Sequence, residues 1–389
     1  MKTRLLLAVI FITFIALGLP DALLGAAWNQ TRIDLNQPIG SLGVITVVMY
    51  LMTITSTFLG PALIHRFETK TITLVSVLLT GSALVGMSQV TSFLPLVLLA
   101  IPLGLGAGAI DMSLNHYVAV HLNASHMSYL HAFYGVGVAS GPFVMAVALS
   151  LYTWRTGMII VGAGLLVIAL LIGLSFPLWK DKTAPVDEAP DIKTFNALKA
   201  RGVKWSIMIF TVAVHAESFM GLFVATYAYV GLGFGLAESA LSTFIFYGGL
   251  TAGRVLSGLV ASKVNANHLI IAGELLMVVS AIGTSLFASS MIISMILFFL
   301  IGMGSGPVYP NMMHMNTVNF KPSQVSRIIS LQMVIGYVGF GLITPLMGTL
   351  IDRVSMRLFP AILIIATTLL LLLTVGFVKT HPQYGRLQK

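Results

Sequence analysis

Four carboxylates in this sequence stand where a charge is expensive. Of its 12 Asp and Glu residues, Asp21, Asp111, Glu217 and Glu274 interrupt long apolar runs, and the others fall in polar stretches or at the ends of such runs. A charge at the centre of a bilayer costs about 2.5–3.5 kcal/mol on insertion scales. Each of the four must therefore face a polar space, find a partner or take up a proton. Asp111 and Asn115 are four residues apart, hence on one helix face. That pairing suits a proton-carrying carboxyl beside an amide that binds solute hydroxyls. The plainer alternative is a buried acid held neutral by hydrogen bonds between helices. Asp21 follows Gly18 and Pro20, which loosen a helix and free its carbonyls. It reads either as a second proton or solute site or as a cap on a local break.

His131 and Tyr134 share a face at i and i+3. Histidine, with an ordinary pKa of about 6.5, could relay protons with Asp111; a neutral ring bonded to a carbonyl is the structural counterpart. Glu217 lies two residues from His215, so the two point to different faces. Asn311 follows Pro307 and Pro310 in a run expected to bend, and Gln332 precedes Tyr337 in the next run. The proton-coupling candidates are thus Asp111, Asp21 and His131. The solute-binding candidates are Asn115, Tyr134, Glu217, Asn311, Gln332 and Tyr337. Arg254 and Glu274 are expected to pair with each other as a structural ion pair.

The elements that must position these residues follow from composition. The chain is 57% hydrophobic and only 8% charged, against about 25% charged in a soluble domain. A bilayer core about 30 Å thick needs roughly 20 apolar residues per helix, and backbone groups in lipid must bond within their own segment. Twelve helical spans are predicted, at 5–28, 39–64, 71–90, 93–120, 127–152 and 156–179, then 203–232, 238–262, 268–289, 291–319, 325–351 and 356–377. The net charge of +9 comes from 21 Lys and Arg that cluster at the chain ends and in loops on one side. Only Arg32, Arg155, Arg353 and Arg357 fall on the other side, with Arg254 inside a span. That bias predicts a multi-pass protein of the cell membrane with both termini cytoplasmic. It also argues against a nucleic-acid partner. Cysteine is absent, which removes thiol chemistry and thiolate metal sites. Gly104-x-Gly106-x-Gly108 follows no strand, so it is no dinucleotide fingerprint. No nucleophile–base–metal set is visible; an enzyme, a cofactor and a bound metal are not expected.

The polar stretch 180–202 divides the chain into halves, 1–179 and 203–389. The halves echo each other. Gly104-x-Gly106-x-Gly108 recurs as Gly302-x-Gly304-x-Gly306, Tyr134 to Pro142 as Tyr337 to Pro345, and Asp21-x-x-x-Gly25 as Glu217-x-x-x-Gly221. Gly60 to His65 parallels Gly258 to Lys263. Duplicated six-helix halves predict a secondary transporter with its site between them. The loop from Gly60 to Lys70, which contains Pro61, His65, Arg66 and Glu68, resembles a degenerate copy of the major facilitator superfamily's loop motif, without its usual acid. Within that superfamily the chain is most similar to the fucose permease branch of fucose, galactose and glucose:proton symporters. Asp21 matches that branch's acid in the first helix, and Asp111 with Asn115 matches its acid and amide in the fourth. His131 and Tyr134 replace its amides in the fifth. The resemblance implies an all-α fold of two six-helix bundles and proton-coupled symport of a sugar-like solute by alternating access. Its partners would be the solute, protons and the bilayer, and the chain is expected to act as a monomer. Proton-coupled export of an amphipathic drug or lipid-like compound is one alternative; a receptor that binds solute without transporting it is another.

Overall fold

In the computed structural model, the described residues are 2–122, 124–179, 201–261, 263–287, 290–320 and 322–380. Fourteen α-helices account for nearly all of them. They are α1 (Lys2–Gly18), α2 (Leu23–Asp34), α3 (Ser41–Arg66), α4 (Thr69–Ser88), α5 (Phe93–His121), α6 (Ala124–Leu151) and α7 (Trp154–Leu174). Then come α8 (Val203–Thr226), α9 (Leu236–Val260), α10 (Ala266–Phe287), α11 (Met291–Ser305), α12 (Val308–Asn319), α13 (Pro322–Arg353) and α14 (Leu358–Thr380). Among the described residues, 11 helical stretches are long and apolar enough to cross a membrane. The 32-residue α13 is the twelfth. Fourteen helices make twelve spans because two spans break. The first is interrupted between α1 and α2 around Pro20, and the tenth between α11 and α12 at Gly306 and Pro307. Both prolines remove an N–H donor where a helix would need it. The second break is the bend expected from Pro307. The expected linker 180–202 lies almost entirely outside the described residues.

The chain separates into two compact units, Met1–Ala189 with Gly235–Phe244, and Pro190–Phe234 with Ile245–Lys389. In the first, α5 packs on α3 and α4, α4 on α7, and α1 on α6. In the second, α10 packs on α11 and α14, and α8 on α13 and α14. Lipid supplies no hydrophobic drive between helices, so close backbone approach through small residues takes its place. A Cβ on Gly104 would strike the Met49 carbonyl of α3, one on Gly106 the Ser76 carbonyl of α4, and one on Gly108 the Thr53 carbonyl of α3. In the second unit, Gly302 and Gly306 meet the Phe246 and Leu250 carbonyls of α9, and Gly304 meets the Gly273 carbonyl of α10. The glycine repeat in the sequence is therefore a repeat of packing. In both units the outer two glycines seat one neighbouring helix and the middle one seats another.

Candidate functional site

In the first unit the polar residues are set by the break in the first span. Leu19 still donates to the Ile15 carbonyl at 3.0 Å, but Asp21 N–H reaches Gly18 O (3.2 Å) and Leu23 N–H reaches Pro20 O (3.1 Å), a tight turn in place of helix. Asp21 sits in that turn, half-buried. Its Oδ2 accepts a hydrogen bond from the Tyr134 hydroxyl at 2.5 Å. The register between α1 and α6 that permits this is fixed by glycine. A Cβ on Gly18 would overlap the Tyr134 carbonyl, and one on Gly137 the Ile15 carbonyl. His131, one turn before Tyr134, is exposed and sets its ring edge-on to Phe14 of α1, with centroids 5.9 Å apart. The predicted shared face of His131 and Tyr134 is thus the face turned to α1.

Asp111 and Asn115 lie on α5, both half-buried. Asn115 Nδ2 donates to Asp111 Oδ1 at 2.8 Å and to the Asp111 carbonyl at 2.8 Å. The amide's donors are spent on the acid, while Asn115 Oδ1 and Asp111 Oδ2 carry no hydrogen bond among the described residues. Among the described residues the Asp111 carboxyl is bonded by Asn115. The elements that carry the two acids are neighbours, since α1 packs against α5. Neither carboxylate has a cation partner among the described residues. The unit therefore holds two acids on neighbouring elements, each held by one neutral donor.

The second unit resolves its polar residues differently. Glu217 Oε1 stands 3.6 Å from Arg254 Nη2, and its Oε2 accepts from Ser305 Oγ at 3.2 Å. The expected Arg254–Glu274 pair is overturned. Glu274 is fully buried and accepts from Thr374 Oγ1 of α14 at 2.7 Å. The physical reason is helix rotation. In a helix that is apolar on every face, sequence does not say which side meets which neighbour. Asn311 is 7% exposed; its Nδ2 donates to Pro307 O at 2.6 Å and to Ser257 Oγ at 2.9 Å. The Pro307 carbonyl also accepts the Asn311 backbone N–H at 3.3 Å, so Asn311 closes the first turn of α12 with both its backbone and its side chain. Gln332 is fully buried and belongs to a closed ring. Its Nε2 donates to Ser206 Oγ (2.9 Å), its Oε1 accepts from Asn316 Nδ2 (2.7 Å), and Ser206 Oγ donates to Asn316 Oδ1 (3.1 Å). Asn311 and Gln332, expected as solute ligands, spend these polar atoms on bonds to neighbouring residues. Tyr337 lies on α13, with its side chain outside those described.

Two contacts had no signal in the sequence. Tyr134 and Asp21 are 113 positions apart, and Arg254 gave no hint of Glu217 over Glu274. The repeat was the one available clue to Glu217, since it aligns that residue with Asp21.

The sequence profile described as Major Facilitator Superfamily matches residues 6–343 and, in a second match, 237–388. Among solved structures, the nucleoside transporter NupG superposes with a TM-score of 0.74 at 10% identity, covering 97% of this chain and 98% of that one. A bacterial homolog of the human lysosomal transporter Spinster, in an inward-facing and unoccupied conformation, gives a TM-score of 0.76 at 14% identity, covering 97% and 98%. No curated protein sequence matches significantly.

Proposed function

The chain belongs to the major facilitator superfamily, and from that premise we propose that it is a secondary active symporter carrying a small hydroxylated solute together with protons. The observation that carries the reading is the arrangement in the first unit. Asp21 and Asp111 lie within membrane spans of the same unit and have no cation among the described residues to neutralise them. Two bare carboxylates in such a setting are each costly to hold. A proton is the mobile charge that can relieve both costs. Its arrival and departure then bias which conformation is favoured, because the two states differ in how they accommodate the charge.

The surrounding groups match hydroxyls. Asn115 Oδ1 is an acceptor with no bond among the described residues, the Tyr134 hydroxyl lies at the Asp21 carboxyl, and Asp111 Oδ2 is a second open acceptor. A sugar offers several O–H donors to such a set. One structural neighbour is a nucleoside transporter, and a nucleoside also carries a hydroxylated sugar ring. The bias of Lys and Arg supports cytoplasmic termini in the cell membrane. The chain halves 1–179 and 203–389, joined by 180–202, are the bodies that would alternate access.

The test is accumulation in proteoliposomes of radiolabelled L-fucose, D-galactose, D-glucose and uridine under an inward proton gradient. Accumulation of one of them, collapsed by a protonophore, supports the reading. Equal internal and external concentrations of all four, and of D-galacturonate and D-gluconate, with or without the gradient, reject it.

A further inference from the structure

The Glu217–Arg254 contact has the geometry of an unfinished pair. Charge-assisted N–H···O bonds between guanidinium and carboxylate normally close to about 2.7–2.9 Å and are often bidentate. Here one nitrogen stands 3.6 Å from one oxygen, and each side chain keeps 26% of its exposure. Arg254 Nε is buried and has no hydrogen-bond partner among the described residues. Among the described residues the remaining Glu217 oxygen holds only the 3.2 Å bond from Ser305. A guanidinium carries five N–H donors, so most of this one's capacity is unused among the described residues. An ion pair kept only for stability inside a membrane span would be expected to close up, because a half-satisfied buried charge is costly.

The surroundings add a second polar group on the same side. Tyr247 and Arg254 are seven residues apart on α9, two turns along one face. The Tyr247 hydroxyl fills the space that a Cβ on Gly221 would need. Gly221 is one turn beyond Glu217 on α8, so the α8 face bearing Glu217 meets the α9 face bearing Tyr247 and Arg254. Along this seam lie a phenol, a guanidinium with spare donors, a serine hydroxyl and one carboxylate loosely held.

We propose that Arg254 recognises a carboxylate on the transported solute, and that Glu217 is an internal stand-in which holds the guanidinium while no solute is bound. The guanidinium fork matches a carboxylate in plane and spacing, and Tyr247 and Ser305 supply hydroxyls for the rest of the molecule. The inference rests on the reading of the chain as a carrier of hydroxylated solutes and narrows that class to polyhydroxy acids, sugar acids in particular.

The test is titration of the purified protein, read by thermal shift, with D-galactose against D-galacturonate and D-glucose against D-gluconate at constant ionic strength. The acid of a pair binds more tightly than its neutral partner. Arg254→Gln weakens acid binding at least about tenfold, the scale of a lost charge-assisted bond. Arg254→Lys, which keeps charge without the fork, retains part of the preference. Glu217→Gln removes the internal competitor and tightens acid binding several-fold, and this variant decides the matter if Arg254→Gln does not fold. Equal binding of acid and neutral sugar, binding of neither, a preference that survives Arg254→Gln, or unchanged or weakened acid binding in Glu217→Gln would each overturn the proposal. The titration needs no gradient. Loss of acid preference with gradient-driven accumulation intact therefore rejects the role of Arg254 alone, and acid preference without gradient-driven accumulation rejects proton coupling alone.

Discussion

Replacing Asp111 by Asn removes one titratable proton site while leaving most of its contacts possible. The Asn115 Nδ2 donor, 2.8 Å from Asp111 Oδ1, can still be accepted by the amide oxygen that the substitution leaves in the same place. Interhelical and local polar bonds in membrane proteins average about 0.6 kcal/mol and reach roughly 1.7 kcal/mol. Thermal stability should therefore move by no more than a few degrees. Coupling should change far more. One proton crossing 100 mV is worth about 2.3 kcal/mol, and each 1.4 kcal/mol is tenfold. A symporter carrying one proton per solute thus sustains roughly a fifty-fold concentration ratio at that potential. In Asp111→Asn the ratio falls to about one, because the gradient no longer has a carrier. Exchange of labelled for unlabelled solute, which needs no net proton movement, persists. The assay compares accumulation at an imposed potassium-diffusion potential with counterflow in the same liposomes. Full accumulation by the variant removes Asp111 as the coupling acid. Loss of both accumulation and counterflow in folded protein makes it a solute ligand instead.

Three further outcomes follow from the packing. Gly137→Leu places side-chain atoms against the Ile15 carbonyl, and overpacking of this kind costs about 1–3 kcal/mol; a lowered melting temperature in detergent is expected, and unchanged stability would contradict the close approach of α1 and α6. Glu274→Gln keeps an oxygen for Thr374, so transport by the folded variant stays near wild type, and a large loss of uptake in protein of normal yield would give Glu274 a role in transport. Gln332→Leu opens the ring with Ser206 and Asn316 and leaves buried polar atoms unpaired at about 1–3 kcal/mol; thermal shift should register a clear loss, and none is expected if the ring is incidental.

Much of this fold could be read before any coordinates. Apolar run lengths set the spans because the bilayer fixes how long a helix must be. Pro20 and Pro307 marked both breaks because a missing N–H has a local effect. The spacing of Asp111 and Asn115 marked a real contact because i and i+4 meet within one helix whatever surrounds it. The glycine repeat was legible too, although its meaning, three carbonyl contacts in each unit, needed the partner helices.

What escaped was everything that depends on rotation between helices. Soluble helices reveal their buried face by an apolar stripe. These helices are apolar all round, so nothing in the order of residues states that Gln332 turns inward to Ser206 or that Glu274 meets Thr374. The Asp21–Tyr134 bond was hidden for the same reason. Among these polar residues, the alignment of Asp21 with Glu217 carried information across the chain, and it pointed to the residue that Arg254 contacts.

The central claim is that solute and protons cross together because carboxylates within the membrane carry the proton. The most direct measurement is proton uptake on solute addition with no gradient imposed, read by a pH-sensitive dye trapped inside proteoliposomes. The account predicts acidification of the lumen that tracks solute entry in wild-type protein and disappears in Asp111→Asn. Solute entering wild-type liposomes with no change in internal pH would contradict it.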